Sequence, residues 1–350
     1  MRRSLLKRRQ PLSAASGTLM DVKKQALNLP VGKPKPKKLI ESTRKFHVKQ
    51  SDDLLPLGGF QDAPLAQELS ENTRRLQNVR NALIERPTRT RIFTVANQKG
   101  GVGKTTSAVN LAVALAEKGM NVLVIDLDPQ GNASTALGIE HHIGVESIYN
   151  ALVHNIPLTD LIQKSPESEN LVVVPSTLML ASAEMELYPL QDKEYRLKNS
   201  INLYLQTAET TPDYIFIDCP PSLGQLTVNA FTAATEVLIP IQCEYYALEG
   251  LTQLKVTIDT IRNRSNPELA LSTILLTMYD SRTKLNMAVV EDVRSHFPTQ
   301  TLQTVIPRQI GVAEAPSYSK SVINYDRSSN GAISYMEAAI EIARKGINHG

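Results

Sequence analysis

Gln98-Lys99-Gly100-Gly101-Val102-Gly103-Lys104-Thr105-Thr106 is the stretch whose reading decides the fold. It follows an apolar run, Arg91 to Ala96, and opens a helix-like segment from Lys104 to Lys118. That strand, loop and helix setting is the one a phosphate-binding loop requires. Gly100, Gly101 and Gly103 let backbone N–H groups, that of Val102 included, converge on phosphate oxygens with the positive end of the next helix behind them. Lys104 reaches the β- and γ-phosphates, the Thr105 hydroxyl ligates Mg²⁺, and Thr106 closes the nucleotide-binding run Lys99 to Thr106. The usual pattern has glycine where this chain has Gln98, and the deviation brings in Lys99. A second ammonium group has little to do within one subunit whose loop already neutralises the phosphates. It has a role if it crosses to the nucleotide of a partner; the plain alternative is a solvated surface lysine.

Working outward, apolar runs rich in Ile, Val and Leu recur at 91–96, 121–127, 171–175, 213–219, 236–242, 271–277 and 302–306, alternating with helical stretches. Such runs fit strands buried on both faces of a mainly parallel, twisted sheet flanked by helices, the α/β architecture of a P-loop NTPase. Ligands of such sheets sit outside the carboxyl ends of the strands. Asp218 ends the apolar run Ile215-Phe216-Ile217, where a carboxylate orients Mg²⁺. Asp126 and Asp128 end another run, and alternation along a strand points both side chains the same way.

The order of these motifs resembles the ParA/MinD family of deviant phosphate-loop ATPases, and within it the ParA (Soj-like) DNA-partition ATPases. The resemblance covers residues 90 to 345. It rests on Lys99 to Thr106, Val124 to Asn132, Ile215 to Ser222, Gln242 to Gly250, Ile306-Pro307-Arg308 and Glu314-Ala315-Pro316. It implies Mg²⁺-dependent ATP hydrolysis in which Lys99, Lys104 and Asp128 are catalytic, Asp128 polarising the attacking water. Asp126 then helps to hold the metal shell with Thr105 and Asp218. Cys219-Pro220-Pro221-Ser222-Leu223-Gly224 looks like the family's second switch, able to sense the γ-phosphate. The implied partners are a second copy of the chain on ATP binding, non-specific DNA and a ParB-like centromere-binding protein, in the cytoplasm and on the nucleoid. Candidate DNA contacts are Arg282, Lys284 and Arg308; Gly311 stands where some relatives carry another arginine.

Composition narrows the alternatives. No apolar run approaches the roughly 20 residues that span a bilayer, and the basic N-terminus lacks the apolar core of a secretory signal. The net charge of +3 hides an asymmetry, because residues 1–50 carry 14 Lys and Arg against two acids, Asp21 and Glu41. Residues 1–60 therefore read as a basic, mostly disordered tail with affinity for DNA phosphates, or as a dispensable or targeting extension. Residues 61–90 read as a helical linker, with Ala63 to Glu85 helical and Pro87 stopping it, ahead of an ATPase domain at 91–346. One helix is not a helix-turn-helix, so no operator-binding domain is assigned. A MinD-like membrane or cargo-positioning ATPase is the alternative function. It relies on a C-terminal amphipathic helix, and Met336 to Ile347 has too little bulky apolar content for insertion. Only two cysteines, Cys219 and Cys243, are present, so the shared cluster of an iron-protein relative is disfavoured.

Overall fold

The structure, a computed structural model, describes residues 64–347. The basic tail expected over residues 1–60 lies outside the described residues. Eight strands form one sheet: β1 (Arg91–Val95), β2 (Val122–Asp126), β3 (Gln163–Lys164), β4 (Leu171–Val174), β5 (Tyr214–Asp218), β6 (Glu236–Gln242), β7 (Ala270–Tyr279) and β8 (Thr301–Pro307). Their order is β3-β4-β2-β5-β1-β6-β7-β8, and every neighbouring pair is parallel except β3 with β4. The seven strands expected from the apolar runs are all present; β3 consists of two polar residues and has no apolar signal to read. β1, β2 and β5 are buried along their whole length, which is why their sequences run apolar instead of alternating.

Helices cover both faces. One face carries α1 (Pro64–Asn81), α2 (Lys104–Glu117) and α3 (Asn132–Ala136) early in the chain. The other carries α4 (Ile148–His154), α5 (Leu158–Leu161), α6 (Leu180–Leu187), α7 (Arg196–Thr207), α8 (Gln225–Ala233), α9 (Ala247–Arg264) and α10 (Lys284–His296). The chain then returns to the first face with α11 (Ile310–Glu314), α12 (Val322–Tyr325) and α13 (Asn330–Ile347). Two apolar clusters result, one on each side of the sheet. α2 is buried almost throughout, from Ser107 to Ala116. Its four alanines in that span keep the helix slim enough to lie between the sheet and α13.

The N-terminal helix differs from the expected linker. It ends at Asn81, well before Pro87, because the Lys118 ammonium group donates to the carbonyls of Val79, Arg80 (3.1 Å) and Ala82 (2.9 Å) and so satisfies the helix end. Leu83, inside the expected helix Ala63 to Glu85, is 89% exposed. The helix is docked and not a free connector. Val79 is buried, and Arg75 grips α13 through Glu337 (2.9 and 2.7 Å) and Ser334 (3.0 Å), with a further bond to Asn330.

Candidate nucleotide site

The loop between β1 and α2 is held in shape from both sides. Gly101 (φ 75°) and Gly103 (φ 90°) take left-handed backbone, which favours glycine. The Thr277 hydroxyl on β7 donates to the Val102 carbonyl (2.9 Å), and Asn97 donates to the Pro240 carbonyl on β6 (2.8 Å). The loop is therefore stapled to the two strands beside β1 on one side of the sheet. Lys104, Thr105 and Thr106 start α2, so the first backbone N–H groups of that helix have no intrahelical partner and face the loop's concavity. A cleft of about 700 Å³ opens there, lined among others by Lys104, Thr105, Asp128, Pro220 and Ser222.

Three carboxylates gather at this end of the sheet. Asp126 and Asp218 are register partners on adjacent parallel strands, and both are wholly buried. Their environments differ. One oxygen of Asp126 accepts the Ser134 N–H (2.8 Å) and the Ser134 hydroxyl (2.7 Å), while the other accepts the Asp128 N–H (3.2 Å). Neither oxygen of Asp218 has a hydrogen-bond partner among the described residues. Burial, reinforced by the neighbouring charge of Asp126, pushes the Asp218 carboxyl well above the usual carboxylate range, against the opposing pull of the nearby Thr105 hydroxyl and Lys104. Burial likewise raises Asp126, but the Ser134 and Asp128 donors oppose it and hold it at about 6. A buried carboxylate left without donors is costly, so Asp218 is the group that fits a cation; the chemistry of the set, a hydroxyl at Thr105 and a carboxylate at Asp218, is that of a hard divalent ion.

Asp128 lies at the mouth of the cleft and is nearly buried; its carboxylate accepts the Gln130 N–H (3.0 Å), closing a tight turn ahead of Gly131. Gly131 takes left-handed backbone (φ 65°), and a Cβ there would meet the His141 ring at 2.7 Å. Across the cleft, Pro220, Pro221 and Ser222 form the other wall. Gly224 leaves room for the Glu184 carboxylate, which would sit 1.9 Å from a Cβ at that position. Cys219 is buried against the Thr94 hydroxyl (3.1 Å), and burial pushes its thiol up to about 12. Cys243 is also a free, buried thiol.

Lys99 is placed where sequence reasoning did not anticipate. Its ammonium group is half exposed and pairs with Glu244 of the same chain. Glu244 lies in the motif Gln242 to Gly250, and no signal in the sequence marked it as a partner. Next to it Tyr245 (77% exposed) and Tyr246 (68%) stack edge to face on the surface. The basic candidates sit apart from the cleft, at the carboxyl ends of β7 and β8. Arg282 is exposed and pairs with Asp280 through Nε (2.9 Å) and Nη2 (2.7 Å). Arg308 is brought to the same corner by its N–H, which donates to the Tyr279 carbonyl (2.9 Å), and Lys284, also exposed, begins α10.

A family model described as an AAA domain matches residues 90–271. The sporulation initiation inhibitor protein Soj of Bacillus subtilis is 48% identical over 256 residues, 73% of this chain and 99% of the relative. The chain belongs to the ParA/MinD family, on its ParA (Soj) branch. The chromosome partitioning protein ParA of Myxococcus xanthus is 46% identical over 73% of this ParA-family chain and 88% of its own length. Among solved structures, the cobyrinic acid a,c-diamide synthase of Mycobacterium smegmatis, crystallised with an ATP analogue and magnesium, matches with a TM-score of 0.63 at 36% identity, covering 73% of this chain and 95% of that one. The family match begins at residue 90, so α1 stands ahead of it.

Proposed function

We propose that this ParA-family chain is a Mg²⁺-dependent ATPase of DNA partition, in which ATP joins two copies of the chain and the pair binds DNA non-specifically until hydrolysis, stimulated by a ParB-like partner, releases it. The observation that carries the nucleotide half is Asp218, a fully buried carboxylate with two unpartnered oxygens behind a glycine loop and a helix N-terminus. Mg²⁺ bound there would supply charge neutralisation on the phosphate oxygens. The backbone of residues 100–106 and Lys104 hold the phosphates, while Thr105 and Asp218 hold the metal. Asp126 stands one remove away, since both of its oxygens already accept hydrogen bonds from the chain. Asp128, which lines the cleft, would orient a water aimed at the γ-phosphate.

Lys99 supplies the switch. Pairing with Glu244 keeps its charge compensated within one chain, and exchanging Glu244 for the triphosphate of a partner would make dimerisation depend on ATP. A pair of chains doubles the Arg282, Lys284 and Arg308 corner, and the salt slope of DNA binding rises by about 0.9 for each phosphate contact added. The MinD-like alternative relies on a free amphipathic helix, and among the described residues Ile333, Met336, Ile340 and Ile342 of α13 are buried in the core.

The test is retention of the full-length chain on non-specific duplex DNA with ATP, ADP or no nucleotide, alongside phosphate release. ATP-dependent retention lost in Lys104→Ala is the expected result. Equal retention in all three states would refute the reading.

A further inference from the structure

Ser134 belongs to no motif that nucleotide chemistry requires, yet it is fully buried and makes the closest contacts to Asp126. Its N–H and its hydroxyl both donate to the same Asp126 oxygen, at 2.8 and 2.7 Å. Its hydroxyl oxygen also accepts the Ser176 N–H (3.1 Å), two residues past the end of β4. The other Asp126 oxygen accepts the Asp128 N–H (3.2 Å). One carboxylate at the end of β2 thereby grips both ends of the loop 128–134. The Ser134 hydroxyl ties that grip to the neighbouring strand. Between the two anchor points, the Asp128 carboxylate is turned by the Gln130 N–H and the backbone reverses at Gly131 under His141.

We propose that Ser134 is a positioning residue for hydrolysis, fixing the Asp128 carboxylate over the phosphate site through the relay Ser176, Ser134, Asp126 and Asp128. The proposal rests on the reading that Asp128 orients the attacking water. Ser134 does not line the cleft; its hydroxyl, which donates to Asp126 and accepts the Ser176 N–H, joins the loop to the segment that follows β4. Without it, Asp126 keeps two backbone donors and the loop keeps its fold, but the link to Ser176 is gone and Asp128 loses its fixed height above the cleft. Misplacement of a reacting group by about 1 Å costs on the order of 100-fold in rate while leaving binding energy from remote contacts in place. Threonine presents the same hydroxyl, so Ser134→Thr retains the relay.

The experiment uses the full-length chain in four forms besides wild type: Ser134→Ala, Ser134→Thr, Asp128→Asn and the double variant Ser134→Ala with Asp128→Asn. Turnover with saturating Mg²⁺ and ATP, affinity for a fluorescent ATP analogue, and melting temperature without nucleotide are read for each. Ser134→Ala is expected to lower kcat by about 10- to 100-fold with analogue affinity changed less than about threefold, Ser134→Thr to recover most of the loss, and the double variant to match Asp128→Asn alone. Unchanged kcat in Ser134→Ala overturns the proposal. So does a joint fall in kcat, affinity and melting temperature that Ser134→Thr shares, which is plain packing damage. Wild-type turnover in Asp128→Asn overturns the reading of Asp128 beneath it, and the proposal with it.

Discussion

Asp126 and Asp280 stand at the carboxyl ends of two strands of one sheet and are held at opposite extremes. Asp126 is wholly buried, and burial raises its carboxyl to about 6. Asp280 accepts hydrogen bonds from the Arg282 side chain and N–H at the surface, which lower its carboxyl to about 2. The nucleotide end is built of groups whose charge is costly until a cation arrives. The basic corner is exposed, with Arg282 already paired to Asp280. Single changes at the cleft therefore carry large effects, and single changes at the corner carry small, salt-sensitive ones.

Removing the cation that faces the cleft is the largest perturbation. Lys104→Ala is expected to lower turnover by about 100- to 1,000-fold, the cost of deleting one preorganised donor to transition-state charge; phosphate release measures it. Asp128→Asn should lower kcat by about 100-fold or more while analogue affinity stays within a few-fold, if the carboxylate acts on water as proposed and not on the bound phosphates.

Acid reads the burial contrast directly. Because the Asp126 proton is bound more tightly in the folded chain (about 6) than at its ordinary 3.8, the folded state holds a proton that the unfolded state lacks between these values. Stability of the nucleotide-free chain should thus grow as pH falls from about 7 through 6 towards 4, with Asp218 adding in the same direction. A rise of a few degrees in melting temperature between about pH 7.5 and pH 5.5, reduced in Asp126→Asn, is the expected outcome. Asp280 adds nothing in that window, since it stays ionised down to about 2. At the corner, Arg282→Ala should reduce the slope of log affinity against log salt by about 0.9 for each Arg282 in contact with DNA, and Asp280→Asn should raise DNA affinity by less than about threefold; a filter-binding salt series measures both.

The same contrast governs what the sequence discloses. Buried strands must be apolar on both faces, so the runs at 91–96, 121–127 and 213–219 give strands β1, β2 and β5 almost to the residue. The glycine loop is legible because its backbone demands left-handed φ at Gly101 and Gly103. Partnerships between distant side chains leave no such mark. Lys99 with Glu244 spans 145 positions, and Arg75 with Glu337 spans 262. The first of these sets the resting state of a cation that the sequence singles out; the second turns an expected linker into a docked helix. Ser134 lies just past the motif Val124 to Asn132, and its contacts to Asp126 and Ser176 form only when the ends of β2 and β4 are brought together.

Whether ATP bridges two chains through Lys99 is tested most directly by mass in solution. Light scattering of Asp128→Asn with Mg²⁺ and ATP should give twice the chain mass, with ADP the single mass, and adding Lys99→Ala should return the ATP sample to the single mass. A doubled mass that survives Lys99→Ala, or a single mass under ATP in Asp128→Asn with nucleotide bound, would contradict the account.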